Sequence, residues 1–167
     1  MRWKAVVAVD EKWGIGKGGK LLFSVPEDMA FFREITWGKT VVMGRKTLES
    51  FPSGKPLKNR VNIVLSSDNA PREGCVVVPS IAALDEALKG AEGDVFVIGG
   101  ARVYEELVDR CEEVYVTKIF ADGGADVFFP NLDMREGFFL AREGEERESN
   151  GYRFRFTTYV NKKAKKP

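Results

Sequence analysis

A series of short apolar runs, each broken off by a glycine or a polar loop, constrains this chain more than any other feature. The runs are 3–9 (WKAVVAV), 40–44 (TVVMG), 60–65 (RVNIVL), 75–78 (CVVV), 94–98 (DVFVI) and 113–120 (EVYVTKIF). They are apolar almost throughout rather than at every second position, the pattern of strands covered on both faces. Helical patterns stand between them. Pro26 suits a first helical turn with Ser24 or Val25 near its cap; Met29, Phe32 and Ile35 follow at helical spacing, and Gly38 ends the pattern. A short helix follows Gly44, and Ser80 caps another carrying Ile81, Leu84 and Leu88, with Gly90 past its end. Val103, Leu107 and Val108 mark a further helix. The end of the chain differs: runs near 137–143 and 152–160 are joined through Ser149-Asn150-Gly151, a hairpin signal. The expectation is one α/β domain with a mostly parallel, twisted central sheet of about eight strands, an antiparallel C-terminal hairpin and about four flanking helices.

Composition excludes several classes. A 167-residue chain with 44% hydrophobic and 31% charged residues and a net charge of +1 gives no global reason to bind nucleic acid or membrane. No run is long and apolar enough to span a bilayer as a helix. The absence of histidine removes histidine-based triads and most zinc sites, and no metal is expected. Cys75 and Cys111, far apart in apolar contexts, read as buried thiols of a reducing compartment, and the cytoplasm is the expected location. Residues 1–160 read as the domain. Residues 161–167, with Lys162, Lys163, Lys165 and Lys166, read as a basic, frayed tail.

Four loops follow strands and so fall where open α/β sheets bind ligands. They are the glycine-rich loop after Val9, Gly44-Arg45-Lys46-Thr47, Ser66-Ser67, and Gly99-Gly100-Ala101-Arg102. Two helix N-termini beside glycines can share one extended phosphorylated ligand. Arg45, Arg102 and Ser67 at three strand ends suit an additional phosphate monoester. The loop at 14–20 matches both G-x-G-x-x-G and G-x-x-x-x-G-K. Each motif needs a helix to open at once, yet Leu21-Leu22-Phe23-Ser24-Val25-Pro26 intervenes, so a mobile flap is the better reading. Asp28 lies four residues before Phe32 and shares its apolar direction. It is either a first-turn charge turned to solvent or a carboxylate held in a pocket.

In order along the chain, Val6-Val7-Ala8, Gly14-Ile15-Gly16, Pro26-Glu27-Asp28-Met29 with Phe32, Val42-Met43-Gly44-Arg45-Lys46-Thr47, Pro56-Leu57, Arg60-Val61-Asn62, Leu65-Ser66-Ser67, Val97-Ile98-Gly99-Gly100, Arg102-Val103-Tyr104, Thr117, and Asp126 before Phe129-Pro130 form a set that resembles the dihydrofolate reductases. The resemblance implies reduction of 7,8-dihydrofolate to 5,6,7,8-tetrahydrofolate by NADPH, in support of one-carbon metabolism and thymidylate synthesis. It also implies inhibition by antifolates and a monomeric enzyme. By resemblance, Asp28 braced by Thr117 meets the pterin. Val6, Val7, Met29, Phe32, Phe51, Leu57 and Ile98 surround the substrate, and Arg60 grips the α-carboxylate of its glutamate tail. Ala8, Ile15, Gly16, Gly18, Gly19, Lys20, Leu21, Gly44, Arg45, Lys46, Thr47, Leu65, Ser66, Ser67, Ile98, Gly99, Gly100, Ala101, Arg102, Val103, Tyr104 and Glu105 line the NADPH. Two departures stand out: Leu21-Leu22-Phe23 replaces the usual Leu-Pro-Trp, and Ala101 stands where a third glycine is common. The rival readings are a reductase of a riboflavin precursor, a nucleotide phosphohydrolase built on 14–20, and a non-catalytic nucleotide-binding module.

Overall fold

The computed structural model describes residues 1–164. Lys165 and Lys166 of the expected basic tail lie outside the described residues. In chain order the elements are β1 (Arg2–Val9), β2 (Gly14–Lys17), β3 (Lys20–Leu21), α1 (Pro26–Thr36), β4 (Thr40–Gly44), α2 (Arg45–Ser50), β5 (Val61–Leu65), β6 (Cys75–Val78), α3 (Ile81–Ala87), β7 (Asp94–Gly99), α4 (Ala101–Leu107), β8 (Glu113–Ile119), β9 (Val127–Phe128), β10 (Phe138–Glu143), β11 (Arg147–Ser149) and β12 (Tyr152–Asn161).

Among the described residues the main sheet has nine strands, in the order β10-β12-β8-β1-β7-β4-β5-β6, with β11 paired to β12. From β8 to β6 every pairing is parallel; β12, β10 and β11 are antiparallel. The α/β expectation is met. Alternation explains why the runs look continuously apolar. Val7, Val42 and Val97 face one core with Leu84, Val103 and Leu107 of α3 and α4. Val6, Met43 and Phe96 face another, against Phe31, Phe32 and Ile35 of α1 and Leu48 of α2. Both sheet faces are covered, so neither strand face can be polar.

Local signals mark the element ends. The Ser80 Oγ accepts from the Ala83 N–H at 3.1 Å and caps α3. Pro26 opens α1, but the cap is Val25, which offers no side-chain acceptor. Asn150 and Gly151 take φ of 52° and 81°, both left-handed, as a two-residue hairpin of primed type requires. That turn joins β11 to β12, a short pair that precedes the longer β10–β12 ladder. A second sheet, β3-β2-β9, was not legible in the sequence. The glycine-rich stretch 14–20 is a hairpin turning at Gly18 and Gly19 (φ 58° and 78°), held on its other side by β9. No helix opens there, which removes the basis of the phosphohydrolase reading.

Candidate functional site

Strands β1, β7, β4 and β5 are parallel neighbours, so Val9, Gly99, Gly44 and Leu65 end at one edge of the sheet. The four loops picked out in the sequence converge there. Helix α1 lies against that region because Phe31 packs on Tyr115 and Phe156, with ring centroids 6.0 and 4.9 Å away. This places Asp28, one turn into α1, over β8. The Thr117 Oγ1 donates to the Asp28 Oδ1 at 2.6 Å, and Thr117 stands in register with Ala8 of β1. Burial pushes the Asp28 carboxyl above the usual carboxylate range, and the Thr117 hydrogen bond pulls partly the other way. The alternative of a solvent-turned, first-turn charge is therefore removed. Nearby, the Tyr104 hydroxyl donates to the Val6 carbonyl at 2.7 Å. Burial raises its pKa far above the ordinary value, with the negative charge of Asp28 as a further cause.

Val6, Phe32, Phe51, Leu57 and Ile98 join one apolar cluster with Met43 and Leu48. Leu57 is fixed by Asn62, a buried residue of β5: its amide oxygen accepts from the Leu57 N–H at 3.0 Å and its amide nitrogen donates to the Leu57 carbonyl at 2.9 Å. Arg60 is half-buried at the end of this wall. It donates to the Thr36 Oγ1 at 3.2 Å, the Lys58 carbonyl at 2.8 Å and the Arg33 carbonyl at 3.3 Å. Val7 belongs to the opposite core and is buried there. Met29, expected beside the substrate, is 60% exposed. The residues of α1 that pack against the core are Phe31, Phe32 and Ile35.

The second half of the site lies across β4 and β7. A β-carbon on Gly99 (φ 131°) would lie 3.3 Å from the Thr47 Oγ1, and one on Gly44 would lie 3.3 Å from the Val103 side chain. The two glycine turns and the start of α2 thus pack closely where no β-carbon intervenes. Ala101 follows Gly100 as the first residue of α4. Arg45 pairs with Glu49 at 2.9 Å, Arg102 pairs with Glu106 at 3.0 Å and is 91% exposed, and Ser67 is exposed beside buried Ser66. Lys46 and Glu105 are exposed, and Leu65 packs partly against the core. On the flap, Ile15 and Gly16 lie in β2, Lys20 and Leu21 in β3, and the Asp126 carboxylate accepts from the Gly18 N–H at 3.0 Å.

Sequence reasoning missed Asp10. It is 3% exposed, and its carboxylate accepts from the N–H groups of Lys12, Gly14 and Gly123 at 2.9, 2.7 and 3.0 Å. The signal was present as an acid at a strand end, four residues before a glycine. Its distant partner, Gly123, could not be read locally.

An open α/β sheet with a two-glycine turn beside a helix start, and one desolvated acid near the same strand ends, is the arrangement of a nucleotide-dependent α/β enzyme. Comparison narrows the class. A dihydrofolate reductase family model matches residues 2–161, and the chain belongs to that family. It is 37% identical over 163 residues to the dihydrofolate reductase of Bacillus subtilis (strain 168), covering 96% of this chain and 95% of that one. It is 35% identical over 165 residues to that of Staphylococcus aureus, covering 98% and 100%. Among solved structures, the dihydrofolate reductase of Enterococcus faecalis, complexed with NADP(H) and RAB-propyl, superposes with a TM-score of 0.85 at 34% identity, covering 96% of each chain.

Proposed function

We propose that this chain reduces 7,8-dihydrofolate to 5,6,7,8-tetrahydrofolate with NADPH, as a monomer in the cytoplasm. The observation that carries the reading is the half-buried, desolvated Asp28 carboxylate, held by Thr117 of β8. Its two oxygens suit the amide N–H and 2-amino group of a pterin edge, a planar pair of donors. Once bound, that pairing offsets the desolvation of the acid and fixes the ring.

The residues fit the cofactor. The bare backbone of Gly99 and Gly100 beside the Thr47 hydroxyl leaves room that a β-carbon would fill, as close approach of a diphosphate demands. Arg45, Lys46, Ser66, Ser67 and Arg102 lie at the strand ends beyond it. NADPH supplies a hydride when bound. Asp28 orients the acceptor ring and stabilises its protonated nitrogen electrostatically, and the proton arrives from solvent. The β2–β3 flap, tied by Asp10 and Asp126, excludes bulk water over the reacting atoms. Phe23 packs edge-on against Tyr152, with ring centroids 4.8 Å apart, and offers the apolar wall without an N–H donor. Val6, Phe32, Phe51, Leu57 and Ile98 hold the aminobenzoyl part, and Arg60 takes the α-carboxylate of the tail. The location rests on two cysteines that are both free. The test is loss of NADPH absorbance on adding dihydrofolate, suppressed by an antifolate. Oxidation of NADPH that does not depend on dihydrofolate, or ATP hydrolysis, defeats the reading.

A further inference from the structure

The turn at Asn150-Gly151 combines a reactive pair of residues with a contact to the flap. Of the asparagines Asn59, Asn62, Asn69, Asn131, Asn150 and Asn161, only Asn150 precedes a glycine. Glycine has no β-carbon to shield its nitrogen, and one added to Gly151 would meet nothing within 4 Å. Both residues are exposed. The Gly151 N–H has no acceptor among the described residues. Strand β11, which leads into the turn, is three residues long and pairs with β12 alone, so this end of the ladder opens locally at low cost. The Asp122-Gly123 pair is arranged the opposite way. There the glycine N–H donates to the Asp10 carboxylate at 3.0 Å and Asp122 pairs with Lys12 at 2.9 Å, so neither group is free to react.

The Asn150 side chain also ties the hairpin to the flap. Its Nδ2 donates to the Ser24 carbonyl at 2.9 Å, across 126 residues of sequence. Ser24 lies in the link between β3 and α1. Phe23 of the same link packs on Tyr152, the first residue of β12, with ring centroids 4.8 Å apart. The end of the hairpin therefore holds the segment that carries the flap on one side and the helix of Asp28 on the other.

We propose that Asn150 is a site of spontaneous deamidation, and that its conversion releases the flap link from the hairpin. The Gly151 nitrogen attacks the Asn150 Cγ. A new N–C bond forms, the bond from Cγ to Nδ2 breaks, and Nδ2 leaves as ammonia with the proton shed by the Gly151 nitrogen. Water then opens the cyclic imide at either carbonyl and leaves an aspartyl or a β-linked isoaspartyl residue. Water is consumed, ammonia is released, and no atom changes oxidation state. The new carboxylate has no N–H to donate, so the bond to the Ser24 carbonyl is lost and two oxygens face each other. In the isoaspartyl product the main chain also runs through the side-chain carbon, which disturbs the register of Ser149 with Tyr152. The effect on turnover rests on the flap reading under Proposed function; the modification does not.

The test ages the purified full chain at mildly acidic and mildly alkaline pH and follows it by peptide mapping and ammonia release. Conversion should concentrate at Asn150 rather than at exposed Asn59 and Asn69, and should quicken with pH, because the attacking nitrogen must lose its proton. Asn150→Asp carries the aspartyl side chain from the start. That variant and the aged wild type should both show kcat/KM for dihydrofolate about fivefold below the fresh enzyme, the scale of one partly exposed hydrogen bond. Conversion at Asn150 no faster than at the other asparagines overturns the modification site. Complete conversion with unchanged kcat/KM, together with an Asn150→Asp enzyme equal to wild type, overturns the link to the flap. A fresh enzyme that does not reduce dihydrofolate overturns the reductase reading and leaves the mapping result standing.

Discussion

Replacing Asp28 by Asn separates what the acid does for the fold from what it does for chemistry. The amide keeps the shape and still accepts the Thr117 hydroxyl bond of 2.6 Å, so no cavity opens. What is lost is a charge that burial disfavours. The pKa of the folded-state carboxyl is raised, so the acid contributes most favourably below the ordinary aspartate range and loses that contribution as pH rises through the raised value. Wild type and variant should therefore have similar stability in acid, and the variant should become the more stable as pH rises toward neutrality. The gain is about 1 kcal/mol, the scale of desolvating one hydrogen-bonded polar group. For a domain of this size it corresponds to a rise in Tm of about 2–4 °C. Activity moves the other way. Without the anion to pair with the pterin edge, turnover at neutral pH should fall about 10²–10⁴-fold. It should recover partly in acid, where solvent protonates the substrate itself. Urea denaturation from acid to neutral pH, with kcat/KM profiles and NADPH titration on the same samples, checks each part. A variant less stable than wild type at neutral pH, or one with near-wild-type turnover there, would refute the assignment of a desolvated, ring-orienting acid.

Arg60→Leu should weaken dihydrofolate binding by about 2 kcal/mol or more while leaving NADPH affinity near wild type; equal losses in separate titrations of the two ligands would count against a tail contact. Asp10→Ala removes the acceptor of three N–H groups, so the flap should lose hydrogen-exchange protection at Gly14 and Gly123 and global stability should drop by about 2 kcal/mol; unchanged exchange at both amides would show that other contacts hold the flap. Gly99→Ala puts a side chain at a φ of 131° and at 3.3 Å from the Thr47 hydroxyl, so stability should fall by about 1–3 kcal/mol and NADPH affinity with it. Wild-type melting and cofactor binding in that variant would mean that the turn tolerates a β-carbon.

Much of the framework was legible because it rests on local chemistry. A strand covered on both faces must be apolar at odd and even positions alike, so the runs at 3–9, 40–44 and 94–98 announced a parallel sheet before any pairing was known. Asn150-Gly151 announced its turn because only such residues adopt two left-handed conformations cheaply. The glycine turns marked the sheet edge where we place the ligand site. Other features depend on which segments meet. Phe31 joins Phe32 and Ile35 in anchoring α1, while Met29 stays 60% exposed, because Tyr115 and Phe156 come to the Phe31 side of the helix. The glycine-rich stretch is a hairpin rather than a phosphate loop, because β9, more than a hundred residues later, pairs with it. The acidity of Asp28 depends on burial and on a hydroxyl 89 residues away. Residue type and spacing determine backbone preference and facing, which act over a few residues. Desolvation and charge pairing depend on distances through space, which only the folded chain sets.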